Sequence, residues 1–567
     1  MQIKYLITGL LVITCALFAS CTDDFFEPDD DNHSGEERLF TDPAFAEGIL
    51  LNAYAYLPNG YRLDEVATDD AVTNIDGNSY RRMATGEWSS VFDPLSVWSS
   101  AYRPIYYINY FLSINDKVDW AWDDRGSPSA EREAAFQKRF KGEALALRAW
   151  HNFELLRNHG GVGAGGDALG FVIMKEAFKV GDDVNLPRNT YAECVDFILS
   201  DIDEAIALLP DVYANQGTDV VHNAVFGAVN KNRVSGLFAK ALKSRVTLHV
   251  ASMPFYSKTD KWEVAAVAAA ELLVSRGGVT GISATGLNFW RNENDAEILF
   301  RRDYANSNGR EAANFPPSRF GRGETNPSQN LVDAFPMANG YPLSAAGAGY
   351  DPNNPYAGRD PRLKAYIVYN GNDINNVVVK TNVEDPLNGL NQTEASTRTG
   401  YYLKKLLQPA VNLTPTVMST QRHFYTLFRY TEIYLNYAEA ANEAWGPDAD
   451  PNGYGFTAGQ IIAGIRKRGG ISQPDNYLAS ISASPADMRE LIRNERRVEL
   501  CFEGFRFWDL RRWNADLSES VKGMSIANGT HTVIDVENRA YQSFMKYGPL
   551  PNIEILKSDK LIQNEGW

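Results

Sequence analysis

The segment NTYAECVDFILSDIDEAIALLP, residues 189–210, constrains the fold more than any other stretch. Tyr191, Val195, Ile198, Ile202, Ala205 and Leu209 recur three or four apart, which places one apolar stripe along a helix. Asn189 or Thr190 supplies a cap, and Pro210, which has no amide hydrogen, ends the helix. Three further segments repeat the pattern. They are FKGEALALRAWHNFELLRNHGG (Phe140, Ala144, Leu147, Trp150, stopped at Gly160), NRVSGLFAKALKSRVTLHVA (Val234, Leu237, Ala241, Leu248, Ala251) and FRYTEIYLNYAEAANEAWG (Tyr430, Ile433 or Tyr434, Tyr437, Ala441, Trp445). Small residues on the stripes, Ala144, Ala438 and Ala441, let neighbouring helices approach closely. The pattern predicts a mostly α fold of tetratricopeptide-like helical hairpins, without a strict repeat period.

Between about residues 280 and 427 the helical period fades. Gly, Pro, Asn and Thr dominate there, as in NFPPSRFGRGETNPSQN and YDPNNPYAGRDPRL, with short strand-like runs such as LKAYIVY and NVVVKT. The expected organisation is one folded body over 41–567. A helical scaffold spans about 41–280 and 428–567, and an irregular, loop-rich, ligand-facing region spans about 281–427. Long ordered loops on a rigid scaffold are where binding tends to sit.

At 567 residues, with 44% apolar and 22% charged side chains, the chain can bury a large core. Its net charge of −16 argues against nucleic acid, which is bound by Lys and Arg replacing counterions on phosphate. Aromatic side chains at 12% suit stacking on sugar faces, although large cores use them too.

The N-terminus, MQIKYLITGLLVITCALFASC, has a basic start at Lys4, a short apolar run and small residues before Cys21. Residues 1–20 read as a signal peptide and Cys21 as a lipidation site; Ala19 and Ser20 suit a bacterial lipobox, whereas Phe18 departs from it. Residues 21–40 are acidic at the start (TDDFFEPDDD) and read as an extended tether between lipid and body.

Several motifs with chemical associations lack their required context. GVGAGG (161–166) has dinucleotide-loop spacing, but a helix rather than a strand precedes it, so it reads as a loop. DADPNG (448–453) opens like a calcium loop, yet the position that needs a bidentate Glu is Gly459. There is no HExxH, GxSxG or P-loop, and no metal or cofactor is expected. Cys194 and Cys501 lie in apolar surroundings and read as buried thiols.

The densest charge lies in NERRVELCFEGFRFWDLRRW, residues 494–513. On a helix from Met488 to Phe505, Leu491, Val498, Phe502 and Phe505 share one face, and Glu495, Glu499 and Glu503 form a row along its edge. Like charges four apart repel, so the row needs cations, for which Arg496, Arg506, Arg511 and Arg512 are the candidates. A glycosidase also uses paired carboxylates, but its acid needs a raised pKa and its two groups face each other across a cleft. Three Glu on one side of one helix among arginines suit a structural brace.

These residues resemble the SusD/RagB family of nutrient-binding outer-membrane lipoproteins. RNERRVELCFEGFRFWDLRRW resembles the family's C-terminal signature, and FRYTEIYLNYAEAANE followed by IIAGIRKRGGI resembles its helical pair. GRDPRL, NPSQNLVDAF, KGEALALRAWHNFELL and PLPNIEILKSDKLIQNEGW fit in order along nearly the whole chain. The resemblance implies a SusD-like fold without catalysis. It implies a lipid-anchored location on the outer membrane facing the cell exterior, and capture of oligosaccharides for a SusC-like TonB-dependent transporter. A surface glycoside hydrolase, or a peptide- or protein-binding member of the same scaffold, are the alternatives.

Ligand-contact candidates come from side-chain chemistry, since a sugar site needs exposed rings and planar polar groups. One loop offers Asn78, Tyr80, Arg81 and Trp88; a second region offers Trp290, Arg291, Tyr304, Asn306, Phe320 and Arg322.

Overall fold

The structure, a computed structural model, describes residues 37–61, 64–121 and 129–567. The proposed signal peptide, Cys21 and most of the acidic tether lie outside the described residues.

Six long helices, among the described residues, occupy the N-terminal half: α1 (Pro43–Ala55), α2 (Trp98–Ile114), α3 (Ala130–His159), α4 (Tyr191–Leu208), α5 (Gly236–Ser252) and α6 (Lys261–Arg276). The caps follow the sequence. The Thr190 hydroxyl accepts from the Glu193 amide while Glu193 reaches back to the Thr190 amide, a capping box that starts α4. Ser129 and Ser235 cap α3 and α5. Gly277 ends α6 at φ 89°, a left-handed position that glycine adopts without steric cost.

Two strands, β1 (Ile298–Ser307) and β2 (Gln421–Arg429), then pair antiparallel, and β2 runs directly into α7 (Tyr430–Trp445). Helices α8 (Ala458–Gly469), α9 (Pro485–Leu500) and α10 (Arg506–Arg512) follow, and a hairpin of β3 (Val521–Ala527) with β4 (Thr530–Glu537) closes the series. Each long helix packs on the next, α1 through α7 in chain order, and α7 then contacts both α8 and α9. This is the tetratricopeptide-like arrangement that the apolar stripes predict. All sheets among the described residues are two-stranded.

One large core runs through the helical stack. Ala241, Ala266, Ala269, Ala438 and Ala441 are wholly buried in it, which lets α5, α6 and α7 lie close together. Among the described residues no single helix is long and apolar enough to cross a membrane. The GVGAGG run forms a small hairpin, Gly161–Val162 against Ala168–Leu169, and a Cβ on Gly161 would strike the Tyr547 ring at 2.6 Å. Packing, rather than phosphate, explains that glycine.

The helix expected over Met488–Phe505 stops earlier, at Leu500. Lys405 Nζ donates to the carbonyls of Glu499 and Cys501 at 2.7 and 2.9 Å, and Arg429 Nη2 donates to the Glu499 carbonyl at 3.0 Å. These cations satisfy the carbonyls that another turn would have used. Phe502 then turns left-handed (φ 64°), as does Gly504 (φ 83°), and α10 begins.

Candidate functional site

The row Glu495, Glu499 and Glu503 lies inside the protein, where Glu495 and Glu499 are completely buried. Its partners are not the neighbouring arginines expected from the sequence. Arg362 Nη1 donates to Glu495 and, at 2.8 Å, to Glu499. Arg468 pairs with Glu499 at 2.8 Å, and Arg466 with Glu495 at 3.4 Å. Lys405 and Arg429 hold Glu503 at 2.6 and 2.7 Å. The local arginines point elsewhere: Arg496 to Asp509 (2.8 Å), Arg497 and Arg506 to Asp69 (2.7 Å each), and Arg512 to Glu439. Arg511 lies 3.4 Å from the centre of the Phe507 ring. Helix α9 directs Glu495 and Glu499 inward and Arg496 and Arg497 to other faces, and the following turn adds Glu503, so the cations come from distant segments.

Burial pushes the Glu499 carboxyl up, but Arg468, Arg362, Arg429 and Lys405 outweigh it and hold the pKa at about 2. Burial raises Glu503 too, and Arg429 and Lys405 bring it below its ordinary value. Such groups stay ionised and hold no proton for a leaving group. The row is a brace between the loop-rich region and the helices.

The ten ligand candidates separate by exposure. Trp88 is only 5% exposed, with its ring against Phe507, Tyr541 and Trp567, and its indole N–H donates to Asp93 at 3.0 Å. Trp290 is 3% exposed and donates to the Leu407 carbonyl at 3.1 Å. Both rings are core pieces here, with no face open to a sugar. Asn78 caps a helical turn by accepting from the Tyr80 and Arg81 amides, and Tyr80 is half-buried against two apolar clusters. Arg81 is tied to Asp76 and Glu537. Arg322 is exposed but paired with Glu324 at 2.6 Å. Arg291 and Asn306 are exposed, and the Tyr304 side chain lies outside the described residues.

Phe320 differs from the rest. The residue is 58% exposed, and its backbone is left-handed at φ 61° and ψ 21°. An aromatic residue in that conformation is strained. The local fold imposes it: after the turn Pro317–Arg319, the Phe320 amide donates to the Pro317 carbonyl at 2.9 Å. Gly321 then passes so close to the Phe315 carbonyl that a Cβ would lie 2.1 Å away.

Three loops build an open cleft of about 380 Å³ around this ring. The first carries Ser318 and Phe320. The second is a hairpin turn at Asn375 and Asn376, both at positive φ (49° and 64°), with Val377 on its edge. The third carries Asn412 and Thr414, held by the Asn412 Oδ1 bond from the Thr414 amide (2.9 Å) and by Ser419. Beneath them lies a separate small core of Phe315, Val368, Ile374, Val379, Tyr402, Leu407, Val411 and Leu413. Arg319, on the cleft wall, ties the loops together, donating to the carbonyls of Ile374 (3.0 Å) and Val411 (3.2 Å). An exposed ring, amide side chains and hydroxyls around one open cleft can stack on a sugar face and hydrogen-bond its hydroxyls. Asn375, Asn412 and Thr414 were missed by local reading because they lie 55 to 94 residues from Phe320 in sequence. The Asn375-Asn376 pair before NVVVKT's valines is the local signal of that hairpin.

Comparison with known proteins adds an independent line. A model described as "SusD family" matches residues 295–567, and one described as "Starch-binding associating with outer membrane" matches residues 24–231. A SusD-like protein from Formosa agariphila is 23% identical over 415 residues, 70% of this chain and 69% of that one. A solved SusD-like protein from Bacteroides fragilis superposes with a TM-score of 0.72 at 26% identity, covering 94% of this chain and 99% of that one. A SusD-like carbohydrate binding protein from the same species gives 0.69 at 21%, covering 92% and 99%. A laminarin binding SusD-like protein gives 0.60 at 20%, again covering 92% and 99%.

Proposed function

The chain belongs to the SusD family, and from that membership we propose that it is a cell-surface lipoprotein that captures oligosaccharides without cleaving them. In this reading it is anchored to the outer membrane through Cys21, faces the exterior on its acidic tether, and hands ligand to a SusC-like TonB-dependent transporter. Its body is a single domain in which Phe320 and the loops around it contact the glycan. The observation that carries the reading is the exposed, conformationally strained Phe320 ring, set among amide and hydroxyl side chains. Strain of that kind persists where surrounding structure over-determines it, and it clusters at ligand sites. The relatives named for carbohydrate or laminarin binding, and the outer-membrane wording of the second family model, support the same reading. The fully buried Glu499 carboxylate, held ionised by the cations around it, supports capture over hydrolysis.

The test is affinity electrophoresis on a polysaccharide panel with a parallel assay for released reducing ends. Retention without release is expected. Release that tracks the purified protein, or no retention on any polymer, overturns the proposal. Labelled palmitate incorporated by the wild type and not by Cys21→Ala checks the anchor.

A further inference from the structure

We propose that the Phe320 cleft selects uncharged glycans and discriminates against uronate- or sulfate-bearing ones. This rests on the glycan-capture reading and names its substrate class. Among the described residues that line the cleft, the single ionisable side chain is Arg319. Its guanidinium is half-buried and turned onto main-chain carbonyls. Nη1 donates to the Ile374 carbonyl at 3.0 Å, Nη2 lies 3.2 Å from the Val411 carbonyl and 3.5 Å from that of Pro409, and Cζ sits 4.9 Å from the centre of the Phe315 ring. Turning it outward to meet an anion would leave those carbonyls unpaired and release two loops from each other.

The next arginine along the chain, Arg322, is matched by Glu324 at 2.6 Å. The rim is apolar on one side, where Val377 is 46% exposed. The remaining polar groups are neutral amides and hydroxyls, among them Asn375, Asn412 and Thr414. Recognition of a carboxylate or sulfate depends on charge-assisted bonds, usually from Arg or Lys. An anion brought against Val377 and Phe320 without such a partner loses hydration and gains nothing in return. The overall charge of −16 adds long-range repulsion of polyanions. A neutral sugar meets none of these costs. Its C–H face stacks on Phe320, and its hydroxyls exchange water for amides of equal polarity.

The experiment is affinity electrophoresis of the full chain on gels of laminarin, starch, galactomannan or xyloglucan, set against alginate and polygalacturonate. Moderate salt screens simple repulsion. Retention on at least one neutral gel is expected, at least about tenfold stronger than on either polyuronate, a difference of about 1.4 kcal/mol. Phe320→Ala should lower the neutral retention about tenfold, and Thr414→Arg should raise polyuronate retention about threefold or more. Equal retention on a polyuronate, or neutral retention indifferent to Phe320→Ala, overturns this inference while leaving glycan capture standing. Absence of retention on every gel overturns the capture reading itself.

Discussion

Arg362 and Glu499 stand 137 residues apart in sequence and meet at 2.8 Å with neither side chain exposed. The same guanidinium binds Asp360 at 2.6 Å and also Glu495, so one arginine from the loop-rich region neutralises carboxylates of α9. Removing it strands buried charge. Arg362→Ala is expected to lower stability by about 3–5 kcal/mol, the usual cost of breaking a buried pair from one side. Thermal unfolding checks this; a loss below about 1 kcal/mol would show that the brace is dispensable.

Gly469 offers a gentler probe of the same contact. A Cβ there would lie 2.8 Å from Arg362 Cζ. Gly469→Ala should displace the guanidinium and cost about 1–3 kcal/mol by overpacking, although alanine is the better helix former. Alanine tolerated without loss would show that Arg362 shifts freely.

Two buried carboxyls give opposite pH dependence. Burial, countered by Arg468 and its neighbours, leaves Glu499 at about 2 in the folded state. A depressed carboxyl contributes stability above its unfolded value, near 4.5, and loses it as pH falls toward 2. Glu65 is raised well above 4.5, by burial first and by Asp64 second. Folding then keeps Glu65 protonated while the unfolded chain ionises, so stability falls as pH rises above about 4.5. Glu65→Gln keeps the shape and removes that charge. The variant should gain on the wild type by up to about 1.4 kcal/mol per pH unit above that point, until the folded Glu65 itself ionises. Denaturant midpoints from pH 4 to 8 provide the measurement, and parallel curves for the two proteins would refute it.

Phe320 should show a conflict between stability and binding. Its left-handed backbone costs about 1–2 kcal/mol, and its exposed ring buries little. Phe320→Gly relieves the strain but loosens the unfolded chain, for a net gain of up to about 1 kcal/mol. Polysaccharide retention should fall at the same time. Lower stability with unchanged retention would make the ring a structural piece.

Trp88→Ala should behave in the reverse sense. It removes a buried ring from Phe507, Tyr541 and Trp567, at a cost of about 3–5 kcal/mol. Retention measured well below the lowered melting temperature should match the wild type, since the cleft at Phe320 lies on other loops.

What the sequence made legible follows a physical division. The stripe from Tyr191 to Leu209, its Thr190 cap and its stop before Pro210 could be read because helical contacts repeat locally. The inward Glu row could be read as a brace because crowded like charges require cations whatever their source. The identity of those cations could not be read, since Arg362, Arg468 and Lys405 arrive from 31 to 137 residues away. The aromatic loops failed in a related way. Trp88 and Trp290 sit among polar neighbours in sequence, yet each indole finds its acceptor inside the fold, and local composition says nothing about which way a ring turns. The strain at Phe320 left no trace in its residue type.

The three cleft loops stand on their own eight-residue core rather than on the helical one. A substitution at the tip of one loop is therefore felt by the other two and barely by the helices. Ligand preference and foldability become separately adjustable. A chain built this way can exchange Phe320, Asn375 or Thr414 for other side chains while the ion-paired brace passes unaltered.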